Sequence, residues 1–389
     1  MPASLPRFAL AALIPLALLG PTPGRGAPVR LGFINSITGP EAPIGENLTN
    51  GADLAVEDLK KKGIEVELLK QDDAGKQQNA MTALEQLATG DGVAAVVGPY
   101  TSSSVAAVVP LAQEYEVPLL IPAAAKEELT QGGRSYVFRL NAPAHAYAEA
   151  LLDAVLSLGK PRSIAFIYES TDFGTSVSTL GKTLSAQKGL TVVADEAYQK
   201  GAPDYRSTLS KIKEKNPDLV FMVSYVADAI LLMRQSREIG LKPQAFLGGG
   251  AGFDTAQFEA EKEVSSLVFS VTQWTPDTGW PGAVEFASRY QARFGKRPTY
   301  HAACAYQAVV IAGEAAARSG GDPKKTREAL ATGSWTGIMG AVKFETYDGF
   351  TNQNRHVMPV IQYQEGKAET VYPPPFAKKK PVYPFPGWK

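Results

Sequence analysis

VAAVVGPYTSSS (93–104) is followed by VPLLIPAAAKEELT (117–130), and each runs an apolar strand into a loop of small residues. Ser102, Ser103 and Ser104 then open a helical stretch. Two such loops, side by side and without bulky side chains, leave backbone N–H groups and hydroxyls bare at strand ends. Open α/β sheets hold small ligands there, often anionic ones. The pair reads as the edge of a binding pocket with no catalytic group in it.

Working outward, strand-like runs alternate with amphipathic stretches, as parallel α/β units do. VRLGFIN (29–35), a helix over 45–62, IEVELL, a helix over 77–87 and VAAVV come first. After Arg139 the pattern starts afresh: a helix over 144–158, SIAFIY (163–168), a helix over 175–188, LTVVADEAY, a helix over 205–214, LVFMVS, a helix over 227–239 and AFLGG. Two α/β sheets fit this better than one. VFSVTQW (268–274) and the helical stretches 284–294 and 301–318 suit either body. The proline-rich VYPPPFAKKKPVYPFPGW (371–388) is expected extended on a surface, as a packing tail.

Arg7, the apolar run 8–20 and PTPGRG (21–26) read as a signal peptide, cut after Gly26. A retained membrane anchor would need about 20 apolar residues. Arg7 and Arg25 leave with that leader, so the balance of 39 basic and 39 acidic residues becomes 37 minus 39, or −2. Such a charge argues against a nucleic-acid or anionic-membrane surface. The single cysteine, Cys304, allows no internal disulfide and lies far from any lipid-anchor position.

Catalytic and metal motifs are not found. His145, His301 and His356 have no ligand spacing, GSWTG (333–337) places its serine one position early for a nucleophile elbow, and GGGAGF (248–253) lacks the third glycine of a dinucleotide loop. No enzyme activity, metal or cofactor is expected.

Several stretches, in this order and spacing, resemble the periplasmic substrate-binding proteins of branched-chain amino-acid ABC transporters, the leucine/isoleucine/valine-binding group. They are LGFINSITGPEAPIGENLTNGADLAVEDL (31–59), QDDAGKQQNAMTALEQL (71–87), VVGPYTSSS, PAAAKEELT, FIYESTDFG (166–174), DYRSTLSKIKEKNPDLVFMVSY (204–225) and LLMRQSREIGLK (231–242). The resemblance implies a bilobed α/β Venus-flytrap fold, two parallel-sheet lobes joined by a three-crossing hinge near 140–143, 271–275 and 345–349. Residues 27–141 with 273–346 would form lobe I, and 142–272 with 347–389 lobe II. It implies closure on a small-molecule ligand, a periplasmic location, delivery to the membrane permease of an ABC importer, and a monomer that binds no nucleic acid. A periplasmic sensor reporting to a signalling partner is the alternative.

Carried over position by position, the resemblance places the ligand carboxylate on Ser102, beside Tyr100, and on the backbone of Ala123 and Ala125. A helix N-terminus suits an anion there, although Ser102 also suits a plain N-cap. Phe173, Tyr225 and Tyr306 would line the ligand body, with Trp274 at a hinge crossing; the core is the competing place for Tyr306. Two departures stand out. Ala125 replaces a threonine, and Gly250 stands at or beside the acid that pairs with a ligand ammonium, leaving space for a bulkier ligand. Either Glu41, Glu169, Asp172, Asp228 or Asp254 substitutes for that acid, or the ligand carries no ammonium.

Overall fold

The computed structural model describes residues 27–388. The expected leader, residues 1–26, lies outside them. The first sheet has eight strands in the order Ser334–Gly337, Gly340–Tyr347, Phe350–Asn354, Val137–Arg139, Leu119–Ile121, Ala95–Val97, Val29–Asn35 and Val66–Asp72. The second has seven: Lys367–Tyr372, Val360–Gln364, Phe269–Val271, Ala245–Gly248, Leu219–Val223, Ser163–Glu169 and Thr191–Tyr198. Both are mostly parallel, and the late strands of each pair antiparallel at one side. The two-sheet α/β expectation is therefore met, with mixed rather than purely parallel sheets.

Helix burial follows from side-chain spacing. Ile44, Leu48, Ala52, Ala55 and Leu59 recur every three or four positions on the helix Ala42–Lys61, and all are buried. That stripe packs on the helix Tyr300–Arg318. The approach is close at Gly51, where a Cβ would stand 2.1 Å from the Ala302 carbonyl oxygen. Alanines on one helix and glycine on the other permit this crossing, which assigns the alanine-rich stretch to the first sheet.

The chain passes between the sheets after Arg139 and again after Val271. The third passage departs from the expected 345–349. Asp348 and Gly349 both take positive φ, 48° and 84°, and close a tight hairpin in which Tyr347 pairs with Phe350. Asp-Gly is the dipeptide that such a turn favours. Phe350–Asn354 thus belongs to the first sheet, and the chain crosses between Asn354 and Val360. The tail lies on the second body: Trp388 Nε1 donates to the Leu241 carbonyl at 2.7 Å, and Phe385 and Trp388 pack on Phe246.

Candidate functional site

In the first lobe, Thr101 takes the capping role at the helix Ser102–Glu114, its Oγ1 accepting from the Ser104 amide at 3.1 Å. Ser102 is therefore the first helical residue, and its Oγ accepts the Lys126 amide at 3.2 Å. One hydroxyl ties the two small-residue loops together and keeps its own proton for a further acceptor. Ala123 and Ala125 stand in the second loop, both buried.

Behind that loop, fully buried Arg139 donates to the carbonyls of Ala125 (3.3 Å), Lys126 (2.6 Å) and Glu127 (3.3 Å), and to Gln353 Oε1 at 2.5 Å. Burial lowers its guanidinium to about 10 despite nearby Glu127. An irregular loop thus gets the carbonyl partners that no neighbouring strand supplies.

The second lobe presents rings. Phe173 sits at the start of the helix Asp172–Gln187, and Tyr225 immediately precedes the helix Val226–Glu238. Their ring centroids are 5.6 Å apart, and Tyr225 meets Tyr100 of the first lobe edge-on at 5.8 Å. Tyr147 adds an edge against Phe173 at 6.2 Å. Tyr300 stacks on His301, which packs against Tyr100, and the Tyr300 hydroxyl accepts the Ala251 amide at 3.1 Å. Burial pushes the Tyr100, Tyr225 and Tyr300 hydroxyls well above the usual phenol range and lowers His301 to about 3, so this box is uncharged near neutrality. Tyr147 and Tyr300 were not singled out from the sequence. Their signal was an aromatic near the start of a helix: Tyr147 in the helix Ala144–Leu156 that follows the first crossing, and Tyr300 at the first position of the helix Tyr300–Arg318.

Three expected contacts are corrected. Tyr306 lies a turn and a half beyond Tyr300 on the same helix, which turns it away from the cleft; it donates to Asp58 at 2.8 Å and packs on Phe286. Trp274 packs edge-on against Phe286 behind the hinge and lines a hollow with Asp254, Thr275 and Arg297, outside the ring box. Gly250 leaves no space: a Cβ there would stand 2.8 Å from the Tyr147 ring, and its φ of 77° and ψ of −150° suit glycine alone.

The five candidate acids are all placed. Glu41 pairs with Lys200 from the opposite lobe. Glu169 accepts from Thr171 Oγ1 at 2.7 Å and the Tyr225 amide at 3.2 Å, and its burial raises it to about 8. Asp172 binds Lys126 at 2.7 Å, Asp228 accepts the Gly201 amide at 3.0 Å, and Asp254 binds Arg297 at 3.1 Å. The lobes meet across the cleft through Glu41 and Lys200, Lys126 and Asp172, and the Glu127 amide on Ser176 Oγ at 3.1 Å. Among the described residues, no group of three or more His, Cys, Asp or Glu side chains is arranged to hold a metal ion, and no helix is long and apolar enough to cross a membrane.

Residues 28–368 match the family model described as periplasmic binding protein. A Leu/Ile/Val-binding protein homolog 8 from Brucella melitensis is 31% identical over 89% of this chain and 91% of its own. Two solved structures share the fold. One is the branched-chain amino acid transporter substrate binding protein LivJ from Streptococcus pneumoniae in complex with isoleucine (TM-score 0.79, 24% identity, 89% of this chain and 100% of that one). The other is the solute binding protein of an ABC transporter from R. palustris in complex with benzoate (TM-score 0.81, 20% identity, 89% and 96%).

The chain belongs to the periplasmic binding protein family, among the substrate-binding proteins of branched-chain amino-acid ABC transporters. That is a family of non-enzymatic, extracytoplasmic solute-binding proteins.

Proposed function

We propose that this protein captures a small carboxylate with an apolar or aromatic body between its lobes and delivers it to the membrane permease of an ABC importer. The observation that carries the reading is the opposition across one cleft of the hydroxyl and small-residue loops around Ser102, with the Tyr100 ring beside them, to the rings of Phe173 and Tyr225. The carboxylate would accept from Ser102 and first-turn amides, where the helix dipole favours an anion. The body would fill the space among the rings. Ligand contacts from both lobes would hold the closed arrangement that a permease recognises. The protein would work as a periplasmic monomer after loss of its leader.

A hydrophobic α-amino acid is the second reading, favoured by the isoleucine bound to the S. pneumoniae relative. A thermal-shift screen with leucine, valine, phenylalanine, benzoate and 4-methylpentanoate tests the proposal. A true ligand at a hundred times its dissociation constant adds about 2.7 kcal/mol of stability. No shift with any of them would remove the carboxylate reading.

A further inference from the structure

Each of the five candidate acids already has a partner, and at buried Glu41 that partner is itself an ammonium. Lys200 follows the strand Thr191–Tyr198 in the second lobe and reaches over to Glu41 at the start of the first-lobe helix Ala42–Lys61. On the way its Nζ stands 4.4 Å from the centroid of the Tyr225 ring. A carboxylate and an aromatic face around one cation are what an amino-acid ammonium seeks. Here the chain itself supplies the cation. Glu41 is buried (1% exposed), and its Oε2 is buried without a hydrogen-bond partner. A second ammonium at that oxygen would lie beside the first, and one carboxylate cannot offset two charges in a desolvated cleft. A neutral hydroxyl donor meets no such repulsion. Glu169 offers no ready alternative, since both its oxygens are engaged and burial favours its protonated form.

We infer that Lys200 is a built-in cation that sets ligand specificity, selecting carboxylates without an ammonium over the amino acids of the same skeleton. The inference rests on the proposed capture of a carboxylate and adds the substituent that the carboxylate must lack. It also makes Lys200 a cross-cleft contact whose charge is answered only when the lobes are together.

The test is calorimetric titration of the full mature protein with three acids that differ at one position: 4-methylpentanoate, 2-hydroxy-4-methylpentanoate and leucine. The expected result is that the first two bind and leucine binds about ten- to a hundredfold more weakly. Leucine binding as tightly as 4-methylpentanoate overturns the inference while leaving carboxylate capture standing. Rejection of leucine and the hydroxy acid alike would mean exclusion by size, and also overturns it. Binding of none of the three, nor of phenylalanine, 3-phenylpropanoate or benzoate, is the separate failure of carboxylate capture itself, and the inference falls with it.

Variants sharpen the reading. Lys200→Met leaves Glu41 without its cation and is expected to raise leucine affinity at least about tenfold against wild type. Adding Glu41→Gln is expected to abolish that gain. An equal gain in the double variant would make the effect one of room rather than charge and overturn the inference. The wild-type series needs no variant, so a misfolded Lys200→Met still leaves a decisive measurement.

Discussion

Around Ser102, Ala123 and Ala125 the first lobe meets the cleft with backbone, methyl groups and a hydroxyl beside the Tyr100 ring, whereas the second meets it with the rings of Phe173 and Tyr225, the carboxyl of Glu169 and the charge of Lys200. The first rim is held from behind by Arg139, so its shape is set before any ligand arrives. The second depends on side chains brought together from three loops and on contact with the opposite lobe. One rim is a rigid anion seat. The other is where ligands are told apart.

The largest way to break the comparison is Arg139→Ala, which strands three loop carbonyls in a buried region. It is expected to cost about 3–5 kcal/mol in urea unfolding, and Arg139→Lys should not restore it, because an ammonium cannot span the same fork. Gly250→Ala tests the second rim by pressing a methyl group on Tyr147 at a φ that only glycine takes freely. About 2 kcal/mol should be lost in thermal unfolding. A neutral outcome would return that position to the open space expected from sequence.

Tyr225→Ala removes the ring shared by both lobes. Affinity for 4-methylpentanoate or benzoate should fall by about 1.5–3 kcal/mol in titration. Tyr306→Phe should leave that affinity unchanged and cost about 1 kcal/mol of stability through the lost bond to Asp58. Ser102→Ala should weaken the carboxylate by about 1 kcal/mol, less than the loss of the ring. If the serine outweighs the ring, the contrast between the rims is reversed.

The smallest effect concerns the contact beside the hinge. Glu127 binds both the amide and Nδ1 of His145, at 3.1 and 2.6 Å, and that hydrogen bond raises the imidazole above its ordinary value. A raised value means that the folded state holds the proton more tightly. The contribution is therefore full below the ordinary histidine range, about 6.5, and disappears as pH rises through the elevated one. The pair is partly exposed, so the change should stay below about 1 kcal/mol. His145→Gln should flatten this part of the stability profile measured from pH 5 to 9.

Legibility followed the range of the interactions. The loops at 98–104 and 122–126 could be read directly, because a helix start and a run of small residues are local properties. Phe173 and Tyr225 came from the family resemblance, and their places next to strand ends agreed with it. Tyr306 and Gly250 were misplaced because a position in a family pattern does not fix which way a helix face turns, or which ring fills a gap. The pairing of Glu41 with Lys200 joins residues 159 positions apart. No spacing rule reaches that far.

By itself the sequence determined the alternation of strands and helices, the two sheets, the small-residue loops at the rim, and the family to which the chain belongs. The first three are written in periodicity and local composition, and the family in the resemblance of several stretches taken in order. Only the tertiary structure decided the Asp348–Gly349 hairpin that moves the third crossing, the Tyr147 ring behind Gly250, and the engagement of every candidate acid. These depend on how distant side chains compete for the same buried space and the same charge, and that competition exists only once the lobes have folded and met.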